Sequence, residues 1–403
     1  MHALAGRRAV VFDFSPMRVL YLTDSLSDLD GVGRYAVRLI HALEELEPGL
    51  EVRVLLSRKH RPTSADVPSR WQVEVALPPD YLFHMSRPRF WANSLPAIAR
   101  TALAARGCDL VHAIKDYPHN WIALSGARLA GRPCIATAHG TYSVQPLKDP
   151  RHARRARAAY ARFERLISVS AYTARLLERE LGPDPRRVVI PNAVDAKDQA
   201  GAALSEPRPW HAHPYTLAMG ELKERKGHHL SLGAFAALAP RHPHWHHYIV
   251  GRLSGDDYEV RLRARVAESG LTERVHFLGN IPEADKRDLM QRASIFIHTP
   301  VTASDGGFEG FGIVYLEAGA CGVPVIGSRD SGAEDAVVDG VTGLLVEQQL
   351  PAVTRALEQL MQDSALRQRL GEQGRLHARR SDWRTNAKAV LQLYREALAK
   401  QGS

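Results

Sequence analysis

Glu309 and Glu317 flank a glycine-spaced turn, Gly306-Gly307-Phe308-Glu309-Gly310-Phe311-Gly312, which runs into the apolar stretch Ile313 to Cys321. The run Ala293 to Thr299 before it reads as a buried strand ended by Pro300, so the order is strand, glycine loop, helix. Unpaired N–H groups and the positive end of the helix dipole at Gly312, Ile313 and Val314 suit a phosphate or sugar oxygen. Glycine lets that ligand approach the backbone closely. Glu309 in the loop is free to accept hydrogen bonds from a polyol, and Glu317 lies about two turns along the helix, so one ligand can touch both. On spacing alone, a helix acid and a solvated glutamate fit equally well.

Further candidates lie upstream. Tyr215 to Gly220 reads as a strand, followed by Arg225-Lys226-Gly227 and a helix from His228 to Leu238. Two adjacent cations before a glycine and a helix start suit a diphosphate. The buried run Pro133 to Ala138 delivers His139 at its C-terminal end, where open α/β sheets bind ligands. Gly31-Val32-Gly33 follows the apolar run Arg18 to Leu22 and opens on a helix, as phosphate-approaching loops do. It lacks the spaced triple glycine of a dinucleotide site, which disfavours a dehydrogenase. Asp28 and Asp30 look like a metal-binding pair but fall in the first loop of a doubly wound unit, and they read as a solvated acidic turn. His242-Pro243-His244-Trp245-His246-His247 reads as the polar end of a helix entering a strand. No metal site is assigned.

The elements that must hold these groups alternate along the chain. Glu51 to Leu56, Gln72 to Ala76, Leu110 to Ala113, Leu166 to Ser170 and Val188 to Ile190 have strand character, with helices such as Ala97 to Arg106 between them. This alternation predicts parallel sheets covered by helices. At 403 residues, 45% hydrophobic and 24% charged, the chain is long enough for two cores. Residues 196–213, rich in proline, alanine and charge, read as a linker between domains 17–195 and 214–382, after a flexible extension 1–16 and before an amphipathic helix 383–403. No run approaches the roughly 18 to 20 apolar residues of a membrane span. Cys108, Cys134 and Cys321 have no metal-like spacing and read as buried thiols in a reducing compartment. A net charge of +9 is compatible with nucleic acid, anionic lipid or anionic substrates as partners.

With Gly319 to Ile326, Ser331-Gly332-Ala333-Glu334 and Asp339 to Val346 following in register, the segment from Glu309 resembles the donor-binding core of retaining glycosyltransferases of family 4. These are sugar-nucleotide enzymes of the GT-B fold, an α/β architecture of two Rossmann-like doubly wound domains facing a cleft. The resemblance extends over nearly the whole chain from Met17 and is densest in the second half. It implies a hexosyltransferase that needs no metal or other cofactor and moves a sugar from a nucleotide-sugar donor to a glycan or lipid-linked acceptor, with no nucleic acid as partner. By resemblance, Glu309 contacts the transferred sugar and Glu317 the ribose; Lys226 grips the diphosphate; Ile281 and Lys286 border the base; Gly31 faces the diphosphate; and His139 lies beside the donor sugar. The chain departs from the family at Asp30, where a glycine is usual, and at Glu221, where an arginine is usual. Arg225 is expected to supply that charge, with Glu221 turned away.

The last helix is expected to cross back to the first domain, which binds acceptors in this family. Relatives acting on lipid-linked acceptors work at the cytoplasmic membrane face. A cytoplasmic protein is therefore expected, docking peripherally on an anionic membrane surface through a basic helix from Arg151 to Arg165, with Tyr160 and Phe163, and the aromatic stretch Tyr81 to Trp91. Two rivals share the fold: a sugar-nucleotide epimerase and a non-catalytic nucleotide-sugar-binding module.

Overall fold

The computed structural model describes residues 16–27, 30–58, 61–62, 65–199, 201 and 206–401. The expected extension through residue 15, Asp28 of the acidic turn, and residues 200 and 202–205 of the expected linker lie outside the described residues.

Seven strands form the first sheet: β1 (Arg18–Thr23), β2 (Glu51–Ser57), β3 (Gln72–Leu77), β4 (Leu110–Ala113), β5 (Cys134–Ala138), β6 (Arg165–Ser168) and β7 (Arg187–Val189). Their order is β3-β2-β1-β4-β5-β6-β7. The second sheet comprises β8 (Tyr215–Met219), β9 (His246–Val250), β10 (Val275–Gly279), β11 (Ile295–Ile297), β12 (Val325–Ser328) and β13 (Gly343–Val346), ordered β10-β9-β8-β11-β12-β13. The described pairings in both sheets are parallel. Helices cover both faces, which is why Val19 to Leu22 and Ile295 to Ile297 are continuous apolar runs with no exposed side. The strand order reverses between β1 and β4 and between β8 and β11, and the loops leaving those strand ends open on the ligand crevice of such sheets. Two doubly wound domains facing one another make the GT-B architecture.

Local signals set the helices next to that crevice. Helix Gly31–Leu46 starts where the Asp30 carboxylate accepts from the N–H of Gly33 at 2.7 Å, so the residue in the usual glycine's place acts as an N-cap. Helix Ile313–Cys321 begins after Gly312, in the left-handed region at φ 83°, and ends at Gly322. Helix His228–Leu238 also has the bounds expected from its sequence.

Other elements differ from expectation. The helix placed over Ala97 to Arg106 spans Arg87–Arg106, because Pro88 is tolerated in its first turn and the chain turns helical directly after Ser86. The basic stretch is helical only over Ala153–Tyr160. Tyr160 and Phe163 are buried in the first domain's core and present no aromatic surface; the Tyr160 hydroxyl donates inward to the Ser143 carbonyl at 2.9 Å. Cys321 is half-buried, unlike Cys108 and Cys134. The linker region carries a short helix, Ala196–Gln199, and a turn, Pro209–Ala212, where buried Trp210 donates Nε1–H to Asp288 at 2.8 Å. Helix Trp383–Ala399 lies on the first domain: Asn386 donates to the Pro191 carbonyl at 2.7 Å, Trp383 packs edge-on to Tyr35, and the Tyr394 hydroxyl is 2.6 Å from Nδ1 of His112.

Candidate active site

The ends of β8 and β11 build the first half of the site. Lys226 and Arg225 lie in the turn after β8, and Glu309 in the loop after β11. The Lys226 ammonium donates to Glu309 Oε2, Arg225 Nη1 is 3.7 Å from the same oxygen, and His298 Nε2 is 3.5 Å away. Burial alone would raise the pKa of Glu309. The neighbouring charge of Lys226, the hydrogen bond from His298 and the charge of Arg225 outweigh it and hold the carboxyl well below its ordinary range. Burial also lowers Lys226, an effect opposed by Glu309. The result is a buried, ionised carboxylate with two cations beside a helix start. Glu221, in contrast, pairs with Arg252 and with Lys223 at 2.9 Å; among the described residues no ion pair joins it to Lys226 or Arg225, although its charge adds a small upward pull on the Lys226 pKa.

Glu317 forms the second half; it lies one turn into helix Ile313–Cys321 and not the two expected, because the helix starts only after the left-handed Gly312. Its buried carboxylate pairs with Arg34 Nη1 from the first domain. Burial pushes its pKa up, but Arg34 and Lys286 bring it below the ordinary value. Lys286 itself stands over Glu283, its Nζ 3.3 Å from a carboxylate oxygen, and Ile281 is half-buried at the exit of β10. The N–H groups of Ile313 and Val314 stand at a helix start, where no intrahelical acceptor is available.

The first domain supplies the opposing wall. His139 follows β5, its N–H donating to Asp116 at 3.0 Å and its Nε2–H to the Ile114 carbonyl at 2.7 Å, while its ring packs edge-on to Tyr35. Burial depresses its pKa, so the ring is neutral near pH 7; with Nε2 donating, Nδ1 is the acceptor nitrogen. The domains meet at Gly310, where an added Cβ would stand 1.8 Å from the His139 carbonyl oxygen; only glycine admits this approach. Thr141 and Phe308 exchange two hydrogen bonds of 2.9 Å, and Asp335 accepts from the N–H groups of Ala171 and Tyr172 at 2.7 and 3.2 Å. Gly31 begins its helix exposed, with open space around it. One turn later that helix presents Arg34 to Glu317. The structure thus gathers Arg225, Lys226 and Glu309 in one cluster and Glu317 near Lys286 in another, while His139 reaches the loop only through its carbonyl, packed against Gly310.

A family model for glycosyl transferases group 1 matches residues 206–377, and one for glycosyltransferase family 4 matches residues 29–198. A GDP-mannose-dependent alpha-(1-6)-phosphatidylinositol monomannoside mannosyltransferase of Mycolicibacterium smegmatis is 32% identical over 68% of this chain and 73% of its own length. This chain belongs to glycosyltransferase family 4. A D-inositol 3-phosphate glycosyltransferase of Acidothermus cellulolyticus is 30% identical over 73% of this chain and 68% of its own length. Sucrose-phosphate synthase from Thermosynechococcus elongatus superimposes with a TM-score of 0.75 over 95% of this chain and all of that structure, at 22% identity, which shows the shared GT-B fold.

Two residues of this family 4 site escape a reading of the sequence. His298 stands at the end of β11, as His139 does at the end of β5, so the end-of-strand argument applies equally to it. It is fully buried, its backbone carbonyl accepts from the Tyr315 hydroxyl at 2.6 Å, and its ring faces Glu309. Arg34 has no comparable signal, because its partner is 283 residues away in the other domain.

Proposed function

We propose that this family 4 enzyme transfers a hexose from a nucleotide sugar, with retention of anomeric configuration and without a metal ion, to a glycan or lipid-linked acceptor. The carrying observation is Glu309, buried and ionised between Lys226, Arg225 and His298 ahead of a helix start, with the His139 carbonyl packed against the next residue, Gly310. In this reading the donor diphosphate lies against Arg225, Lys226 and the N–H groups from Gly312 to Val314, which stabilise charge as the sugar–phosphate bond breaks. An ammonium has three donors, so Lys226 can keep Glu309 and also reach a phosphate oxygen. Glu309 orients the sugar hydroxyls, Glu317 takes the ribose, and Ile281 and Lys286 border the base. Gly31 and His139 complete the site from the first domain. The acceptor hydroxyl attacks from the face the diphosphate leaves, and the departing phosphate oxygen takes its proton.

The two named relatives act on acceptors that contain an inositol phosphate, free or in a lipid. Such an acceptor is the class we assign to the first domain here. The lip of that domain supports the lipid-linked form at an anionic cytoplasmic membrane face. Trp91 and Leu95 are exposed on helix Arg87–Arg106 beside exposed Arg87 and Arg89, and the Arg155 guanidinium stacks over Phe90, Trp91 and Trp121 at 4.8, 4.7 and 5.0 Å. Among the described residues no helix is long and apolar enough to cross a membrane.

The function is tested by screening nucleotide sugars for a rise in melting temperature, then following transfer to inositol phosphate and phosphatidylinositol acceptors with the product anomer read by NMR. A stabilising donor, an EDTA-insensitive rate and a product with the donor's configuration are expected. Conversion of the donor into an epimeric nucleotide sugar, with no net release of nucleoside diphosphate and no need of an acceptor, points instead to the epimerase, and nucleotide binding without turnover to a binding module. Cosedimentation with anionic liposomes tests the membrane face: binding at low salt should be lost in the Arg89→Glu/Arg154→Glu variant, and absence of binding leaves a soluble acceptor.

A further inference from the structure

The carboxylate assigned to the donor ribose is answered from the opposite domain. Arg34 lies in the first turn of helix Gly31–Leu46 and contacts Glu317 Oε1 with Nη1. The Glu317 side chain is 4% exposed and that of Arg34 21%. Both border an interdomain cavity of about 300 Å³, together with Ile313, Glu283, Arg287 and Trp383. A carboxylate this deeply covered is costly to keep ionised unless it is paired. The second domain offers it Lys286, whose ammonium is also drawn to Glu283 at 3.3 Å. An ionised carboxylate has about four acceptor positions, so a guanidinium on Oε1 leaves room for two sugar hydroxyls.

We propose that Arg34 is a positioning residue for the nucleotide donor: it holds Glu317 charged and oriented to accept the vicinal hydroxyls of a ribose, so that the donor site of the second domain is completed by the first. This rests on the assignment of Glu317 to the ribose. Arg34 acts through Glu317 and touches neither the transferred sugar nor the leaving group. Its loss therefore weakens donor binding and leaves the chemical step nearly untouched.

Steady-state kinetics of the full chain and calorimetry with GDP and UDP provide the test. Arg34→Met should raise the donor KM and the nucleoside diphosphate Kd about tenfold, as expected for one lost charge-assisted hydrogen bond. Its kcat should stay within about twofold of wild type, since the contact is present in ground and transition states alike. Arg34→Lys should recover most of the affinity. Glu317→Gln should raise donor KM similarly, and adding Arg34→Met to it should change little more. An unchanged donor KM in Glu317→Gln overturns the ribose assignment and this proposal with it. A raised KM in Glu317→Gln together with wild-type or tighter donor binding in Arg34→Met overturns the role of Arg34 alone. Arg34→Gln repeats the comparison if Arg34→Met does not fold, and wild-type affinity in that variant is equally fatal.

Discussion

Glu309 and Glu317 belong to one loop-helix segment and are both buried with their charge held into acid, yet that charge is set from different sides of the cleft. Lys226, Arg225 and His298 all come from the second domain, so the environment of Glu309 is internal to one folded unit. Glu317 takes its direct ion pair from helix Gly31–Leu46 of the first domain. The two carboxylates therefore respond differently to domain movement. A rotation of the domains leaves the Glu309 cluster intact and strips Glu317 of Arg34. Under the proposed roles, recognition of the sugar is preformed, whereas recognition of the nucleoside depends on closure.

The sharpest way to break this contrast is to neutralise each acid in turn. Glu309→Gln should lower kcat about a thousandfold, roughly 4 kcal/mol of transition-state stabilisation, with donor affinity changed far less. Glu317→Gln should do the reverse; equal kcat losses in the two would show that the acids are not functionally divided. Preventing closure should come next. In Gly310→Val the new side chain collides with the His139 carbonyl, and transfer should fall about a hundredfold, near 2.7 kcal/mol, while each domain keeps its fold. Small-angle scattering should then show a larger radius of gyration, and an unchanged radius with full activity would mean that the close approach is dispensable.

Acid provides a gentler probe, because the two glutamates keep their charge where the buried histidines do not. Burial pulls His112, His228 and His247 each to about 3. Their folded values lie below the unfolded value of about 6.5, so the stability they contribute is complete above that pH and is lost as pH falls toward 3. Each should cost up to about 2 kcal/mol between pH 6.5 and 5. Urea midpoints at those two pH values measure the loss, and midpoints independent of pH would refute it. The smallest effect is expected at Glu221, which pairs with Arg252 and Lys223 outside the cluster. Glu221→Gln should change kcat/KM less than about twofold, under roughly 0.5 kcal/mol. A marked gain in donor affinity would instead show that its charge reaches the diphosphate.

The same contrast runs through what the sequence discloses. Helix Ile313–Cys321 is legible because each of its signals is local: a glycine in the left-handed region before it, another after it, and small apolar residues between. The parallel sheets follow from alternating strand and helix patterns, and the acids and Lys226 from spacing and family resemblance. What remains hidden is tertiary. The turn of Lys226 toward Glu309, the pairing of Arg34 with Glu317 and the burial of Tyr160 and Phe163 depend on which faces pack together. Periodicity also overstates the basic helix, since arginine suits a helix, a turn and the start of β6 equally well.

The carboxylate of Asp335 reaches across the cleft to the first amides of helix Ala171–Leu181. Amides at the start of a helix have no intrahelical acceptor and ordinarily face water. Here they are covered by the other domain, so their hydrogen exchange measures how often the two domains part. Protection at Ala171 and Tyr172 that rises with bound donor, while the interior of the same helix stays constant, would time the opening of the cleft without any probe being attached.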